Sequence, residues 1–376
     1  MTVSSAEAQV QFLIDIQALL EDGQFVATYK YALLIALADL AVEADVASDA
    51  PLPIPVLAIA EKFVEYYWPQ TEPFPGATGP RVLLQNTGTQ AAVINAIAQA
   101  RTTAMTLPQL RADRAAWRRL LGSVRDIVVK MPLWRLQTVG GQLRPFLYPV
   151  DHSRERIVLH AGVAAHLRAF HPLVTGLARA RWIALVRRIP ANAEQIGERQ
   201  DLESFLFAVD RAALARLAQP LADLQHGDCL YCGKSLAGAV HVDHFVPWSL
   251  HHVNFAPNLV AAHDRCNVAK SDWLAAETHL AAWLQRNTRR QRELVLLEGA
   301  AAEGRAAVCT HVAGWAYEHA ERLGQVVWLA GRRTEPLSGQ WRHLLGLRTT
   351  TFRPPAAPTL LRAAEPDPPD DSTWGA

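Results

Sequence analysis

The sequence predicts a mainly α-helical chain that carries one small α+β module late in its length. Three observations lead there. Apolar residues recur at three-to-four spacing through long stretches on both sides of the chain's middle, the period of amphipathic helices. That period gives way to short strand-like runs over residues 133–150. Three of the four cysteines, Cys229, Cys232 and Cys266, fall in one stretch where a short apolar strand precedes a short helix. No apolar run reaches the roughly 18–20 residues that cross a bilayer, so a membrane protein is not expected.

The elements follow in order. Residues 6–48 read as two helices, with FLIDIQALL and YKYALLIALADLAVEA carrying the period and Asp22-Gly23 punctuating between them. SDAPLPIP, residues 48–55, is a proline-rich connection, and VLAIAEKFVEYYW forms a helix over about 55–67. Residues 69–80 read as loop, 87–102 as a helix capped by Thr87 or Thr89, and Pro108 opens the next helix, which runs through RADRAAWRRLLGSVRDIVVK. A hairpin turns at Gly140-Gly141. Helices are expected over about 160–188 and 201–224, with Pro220 kinking or ending the second. Beyond the cysteine-bearing segment come helices over about 273–297 and 301–323, and a Pro-, Asp- and Ala-rich tail at 353–376 that reads as disordered.

This order divides the chain into five parts. Residues 1–150 form a helical domain with a short hairpin, suited to recognising nucleic acid or a partner, and 151–224 a helical linker domain. Residues 225–290 hold the cysteine-bearing module, 291–352 further helices, and 353–376 the tail.

A secretion signal is not expected, because MTVSSAEAQVQF lacks a basic segment followed by an apolar one, and the chain is expected in the cytoplasm. Thiols there stay reduced, so clustered cysteines read as metal ligands. Cys309, in a helical context, reads as a plain buried cysteine. Net charge is +1, but its distribution is uneven. Residues 1–50 carry eight acidic side chains against one lysine, whereas residues 101–200 carry 17 basic against six acidic. A basic middle segment suits a phosphate backbone. The arginine groups 118, 119 and 125, then 179, 181, 187 and 188, then 286, 289, 290 and 292 are the candidates; the plainer reading is solvated helix faces.

HGDCLYCGKSLAGAVHVDHFVPWSLHHVNFAPNLVAAHDRCNVAKSD, residues 226–272, holds two superimposed patterns. The first is a C-x-x-C pair, Cys229 and Cys232, followed about 30 residues later by an H-x-x-C pair, His263 and Cys266. Four such ligands suit tetrahedral Zn²⁺, and with every position taken by protein the ion is structural. The second pattern is D-H-x-x-P, then N-L, then C-N-x-x-K. This stretch resembles the zinc-bearing subset of the HNH endonucleases, which have the ββα-metal fold. His263 stands where that subset usually has a third cysteine of the ligand set. His244, Asn258 and Asn267 match the three positions that name the family. The resemblance covers about an eighth of the chain. More loosely, TYKYALL, LLQNTG and DLESFLF make the whole arrangement similar to bacterial proteins with a long helical front half and an HNH module behind it.

The resemblance implies hydrolysis of phosphodiesters, and the residue types suit it. A histidine titrates near neutrality, so His244 is the expected general base. Asp243 and Asn267 offer oxygen ligands to a hard divalent ion, Mg²⁺ or Mn²⁺. Asn258 is expected to brace the intervening loop rather than touch substrate. Lys270, one helical turn past Asn267, is expected to meet a phosphate. His241 is a candidate auxiliary contact, while His251 and His252 are expected to be exposed. Trp248 packs under the loop or stacks on a base, and Thr28, Tyr29 and Lys30 are candidate nucleic-acid contacts or the start of a packed helix.

The expected function is therefore a DNA endonuclease with one catalytic divalent metal, in a role such as bacterial defence. Two other readings stand beside it: a non-catalytic zinc module that binds nucleic acid or protein, and an RNA nuclease using the same centre. A double-strand cut by one such centre calls for a homodimer or an additional subunit.

Overall fold

A computed structural model describes residues 5–22, 26–45, 49–76, 79–197, 201–207, 211–298 and 304–347. The expected tail at 353–376 lies outside the described residues. The chain is mainly helical, with small antiparallel two-stranded sheets.

The front half opens with helices α1 (Ala6–Asp22) and α2 (Tyr29–Glu43). α2 is apolar on nearly every face, which is why it becomes a central helix buried on all sides. Strand β1 (Leu52–Pro55) leads into α3 (Val56–Tyr67), and a small hairpin, β2 (Phe74–Gly76) with β3 (Gly79–Arg81), precedes α4 (Ala92–Arg101). Then come α5 (Leu107–Ala112), α6 (Arg114–Lys130), the hairpin β4 (Thr138–Val139) with β5 (Gln142–Leu143), and β6 (Arg156–Leu159). Helices α7 (Val163–Ala169), α8 (His171–Arg188), α9 (Pro190–Ile196), α10 (Leu202–Phe207) and α11 (Arg211–Leu224) complete this half. The back half holds β7 (Val240–His244), β8 (Leu259–His263), α12 (Asp264–Lys270), α13 (Glu277–Arg289), α14 (Gln291–Glu298), α15 (Arg305–Arg322), the hairpin β9 (Val326–Ala330) with β10 (Arg333–Pro336), and α16 (Gln340–Leu344).

Several local expectations change. The proline-rich connection is partly strand β1, paired antiparallel with β6 so that Leu52 and Ile54 point inward while Pro53 and Pro55 stay out. A two-stranded ribbon has a free edge, where a missing N–H costs nothing. Part of the loop at 69–80 is the β2–β3 hairpin. The Thr87 or Thr89 cap is replaced by a helix start at Ala92. The helix opened by Pro108 is two helices: Thr106 and Gln109 form a capping box on α5, and Asp113 ends it and caps α6. The helix at 160–188 breaks at Phe170, just before Pro172 in the first turn of α8. Pro220 lies inside α11 without ending it. The region after residue 291 contains the β9–β10 hairpin as well as helices.

One apolar core runs from Phe12 to Leu206, so residues on both sides of position 150 pack together. A second core joins the cysteine-bearing module to α13, α15 and α16, and it includes Val42 of α2. The two halves are also tied by hydrogen bonds from Trp315 Nε1 to the Arg168 carbonyl (2.8 Å) and between His311 Nδ1 and the Glu43 carbonyl (3.0 Å). Thr28 and Lys30 are buried; Thr28 Oγ1 bonds the Tyr67 hydroxyl at 2.6 Å, and the Tyr29 hydroxyl accepts from Val93 N at 3.2 Å. TYKYALL is thus core rather than a nucleic-acid contact. Cys309 is fully buried. No described helix is long and apolar enough to cross a membrane.

Candidate nuclease centre and metal sites

The cysteine pair sits on a tight turn. Gly233 N donates to the Cys229 carbonyl and Cys229 N to the Lys234 carbonyl, both at 2.9 Å. Gly233 takes φ +62°, a conformation that costs a residue with a Cβ but not glycine. His263 ends β8 and caps α12, and Cys266 follows in the first turn of that helix. Donor atoms of Cys229, Cys232, His263 and Cys266 all lie within 4.8 Å of one another. Cys232 Sγ is 3.3 Å and Cys266 Sγ 4.0 Å from His263 Nδ1. His263 Nε2 donates to the Ser235 carbonyl at 3.0 Å, which leaves Nδ1 with a lone pair facing the sulfurs. Three sulfurs and one nitrogen converging in this way fit a four-coordinate metal ion.

β7 and β8 pair antiparallel, with Asp243 opposite Val260 and His244 opposite Leu259, and α12 packs on both strands. β7 ends at His244, where the ladder is extended by Phe245 N donating to the Asn258 carbonyl at 2.8 Å. Asp243 and His244 are both buried, and each side chain takes its own partners. The Asp243 carboxylate accepts from the Tyr231 hydroxyl and pairs with Lys270 Nζ at 3.0 Å, both through Oδ2. The His244 ring bonds the Asn254 side-chain oxygen through Nε2 at 3.0 Å and packs beside Trp248. Burial pulls the His244 pKa below its ordinary value, so the ring is neutral at physiological pH.

Asn258 is fully buried and closes the loop from Val246 to Val253. Its Oδ1 accepts from Val246 N (2.9 Å), and its Nδ2 donates to the carbonyls of Val246 and Val253 (both 3.1 Å). Asn267 lies half-buried on α12. Strand, strand and helix thus bring Asp243, His244, Asn258 and Asn267 into one module beside the sulfur cluster.

Two family models match the chain: a domain of unknown function, DUF8808, over residues 9–206, and the HNH endonuclease over residues 229–272. The first covers more than half of the sequence.

The chain belongs to the DUF8808 family and carries an HNH endonuclease domain.

A search of curated proteins and of solved structures matches nothing. The DUF8808 match crosses residue 150, as the front core does.

Within the HNH domain, Lys270 is not placed to meet a phosphate. It is wholly buried, with Nζ 2.8 Å from the His244 carbonyl in addition to its pairing with Asp243. The ammonium is taken up by Asp243 and the His244 carbonyl instead of facing solvent. His251 is fully buried and His252 half-buried, contrary to the exposure expected of them, because DUF8808 helices cover this loop. His252 stacks on Trp248 at 4.1 Å, and its Nδ1 accepts from Arg179 Nη2 at 3.3 Å. Trp248 donates to the Phe207 carbonyl. His241 lies 3.4 Å from Asp264.

The arginine groups separate. Arg286 is buried and donates to the carbonyls of Leu259 and Pro257 and to Asn287, so it fastens the start of β8. Arg179 is committed to His252. Arg118, Arg119, Arg181, Arg188, Arg289 and Arg292 are exposed.

Sequence reasoning missed Tyr231 and Asn254. Tyr231 sat in view between the two cysteines of the knuckle, and Asn254 four residues before Asn258. Neither position carries a pattern that singles it out.

Proposed function

We propose that this chain is a metal-dependent endonuclease that hydrolyses DNA phosphodiesters, with His244 as general base. One observation carries the reading: His244 ends β7 inside the HNH domain as a buried, neutral imidazole whose Nε2 is committed to Asn254. Nε2 donates to an amide oxygen, so Nδ1 is the basic nitrogen, able to take a proton from water. Asn258 holds the loop backbone between base and β8, and Lys270 holds Asp243.

Asp243 Oδ1 and the Asn267 side chain are hard oxygen donors and fit Mg²⁺ or Mn²⁺. Such an ion supplies charge neutralisation at the scissile phosphate. Cys229, Cys232, His263 and Cys266 fit Zn²⁺, which would lock the knuckle to α12. The exposed arginines of α6 and α8 suit contact with the phosphate backbone.

One feature favours a second reading, a zinc module that binds without cutting: the Lys270 ammonium already neutralises the carboxylate offered to the catalytic ion. Purified protein incubated with supercoiled plasmid, linear duplex, single-stranded DNA and RNA, each with Mg²⁺ or Mn²⁺, tests both. Cleavage of DNA that His244→Ala abolishes is expected. DNA binding without cleavage supports the second reading, and equal cleavage by His244→Ala removes the base from His244.

A further inference from the structure

A second group of ligand-type side chains lies outside the HNH motif, where the DUF8808 helices meet the HNH loop. Asp39 comes from the middle of α2, His171 from the first residue of α8, and His251 from the loop between His244 and Asn258. All three are buried to within about one percent of full enclosure. One donor atom from each lies within 4.8 Å of the other two. His171 Nε2 hydrogen-bonds Asp39 Oδ1 at 2.7 Å, a contact that an ion between them would replace, and His251 Nε2 lies 3.8 Å from the same oxygen. Glu43 Oε1 is 3.7 Å from His251 Nε2 and bonded to Lys62 Nζ at 2.6 Å.

His251 is the informative member. Both its ring nitrogens are buried with no hydrogen-bond partner among the described residues. Its separations of 3.7 and 3.8 Å from two carboxylate oxygens are too long for hydrogen bonds. They do fit two donors sharing one ion, since ligands about 2.0–2.2 Å from a metal lie at most roughly 4 Å apart. A buried polar atom aimed at carboxylates it does not reach calls for something between them.

We propose that Asp39, His171 and His251 form a second metal site, for a divalent transition-metal ion such as Zn²⁺, that clamps the HNH loop to the DUF8808 helices. Two imidazole nitrogens and a carboxylate oxygen are a borderline donor set that favours Zn²⁺ over Mg²⁺ or Ca²⁺. Glu43 is the nearest further oxygen on the His251 side. The Asp39 Oδ2 atom accepts from the Tyr66 hydroxyl at 2.6 Å, which orients the carboxylate and leaves Oδ1 toward the histidines. Binding at Nε2 puts the proton of each ring on Nδ1, and those two N–H groups remain the least satisfied donors of the cluster. The site is enclosed, so the ion's role is to hold three segments far apart in sequence. The clamped loop is the one that carries Trp248 and Asn254 to His244.

The test is metal content of the full chain, independent of any cleavage. Protein loaded with Zn²⁺ and passed through Mg²⁺ buffer should retain two zinc ions per chain by mass spectrometry. His251→Gln and His171→Gln should each retain one, Cys232→Ser with Cys266→Ser should retain one, and His244→Ala should retain two. One zinc in the unaltered chain overturns the proposal, as does a second zinc that survives His251→Gln and His171→Gln or that His244→Ala removes. Should the histidine variants not fold, zinc X-ray absorption on the unaltered protein decides. Three sulfurs shared between two ions give about 1.5 per zinc, whereas a lone cysteine-cluster ion gives three.

Discussion

His244 donates from Nε2 to the Asn254 side-chain oxygen at 3.0 Å, and this fixes Nδ1 as the basic nitrogen of the ring. His244→Ala should lower the cleavage rate by about 10²–10⁴-fold. Asn254→Ala frees the ring and should lower kcat by up to about 10²-fold with little change in KM. Asn254→Asp separates positioning from mere packing. A carboxylate beside the ring stabilises the imidazolium and raises its pKa. The base must be neutral to act, so the acid limb of the pH–rate profile should move to higher pH. An unmoved limb would mean that Asn254 only packs.

Lys270 is wholly enclosed and pairs with a carboxylate that is nearly so. Removing one partner leaves the other charge buried, a change of about 3–5 kcal/mol. Lys270→Met should therefore lower the stability read by urea unfolding by that order. Lys270→Met combined with Asp243→Asn should recover much of the loss, because no charge is then stranded. If Lys270→Met alone is neutral, the pair is more hydrated than its burial indicates.

The sulfur cluster joins the knuckle to α12, and α12 carries Asn267 and Lys270. Chelation, or Cys229→Ser, should lower the melting temperature and open residues 226–272 to proteolysis before the DUF8808 region is cut. Co²⁺ bound in this cluster should give intense thiolate absorption that Cys229→Ser weakens. A melting temperature indifferent to chelator would remove the structural role.

Burial, then the neighbouring Arg179 guanidinium, hold the His252 pKa well below 6.5. A histidine whose folded pKa is depressed favours the folded state only while neutral. Its contribution is complete above the unfolded pKa near 6.5 and declines as pH falls below that value. His252→Gln keeps an acceptor for Arg179 and cannot be protonated. Its melting temperature should fall less than that of the unaltered chain between about pH 7.5 and pH 5.5. Parallel curves would show that other groups dominate acid unfolding.

Arg286 and Arg292 stand six residues apart and should behave oppositely. Arg286→Ala should destabilise the chain, since the Leu259 carbonyl and the Asn287 side-chain oxygen lose a buried donor and the Pro257 carbonyl loses one of its three. Arg292→Ala should leave stability unchanged. If Arg292 meets a phosphate, its loss should reduce the salt dependence of DNA affinity by a slope of about one.

The sulfur cluster, a short strand ahead of a short helix and the positions of most helices were legible in the residues. Ligand identity and ligand spacing are local chemistry, and so is the 3.6-residue period of an apolar face. The exact breaks at Phe170 and Asp113 were less so, because a proline or a cap acts against a period that continues through it.

Lys270 and His251 show where that legibility ended. Lysine favours solvent and histidine is intermediate on average, and their neighbours in sequence say nothing about what will cover them. Lys270 became an enclosed counter-ion only because β7 and α12 fold Asp243 and the His244 carbonyl around it. His251 became a buried ligand-type residue only because α2 and α8, more than 60 residues away along the chain, close over the HNH loop. Residue type and spacing fix which atoms are able to ligate or accept a proton; long-range packing sets their dielectric surroundings and their partners, and so which of them do.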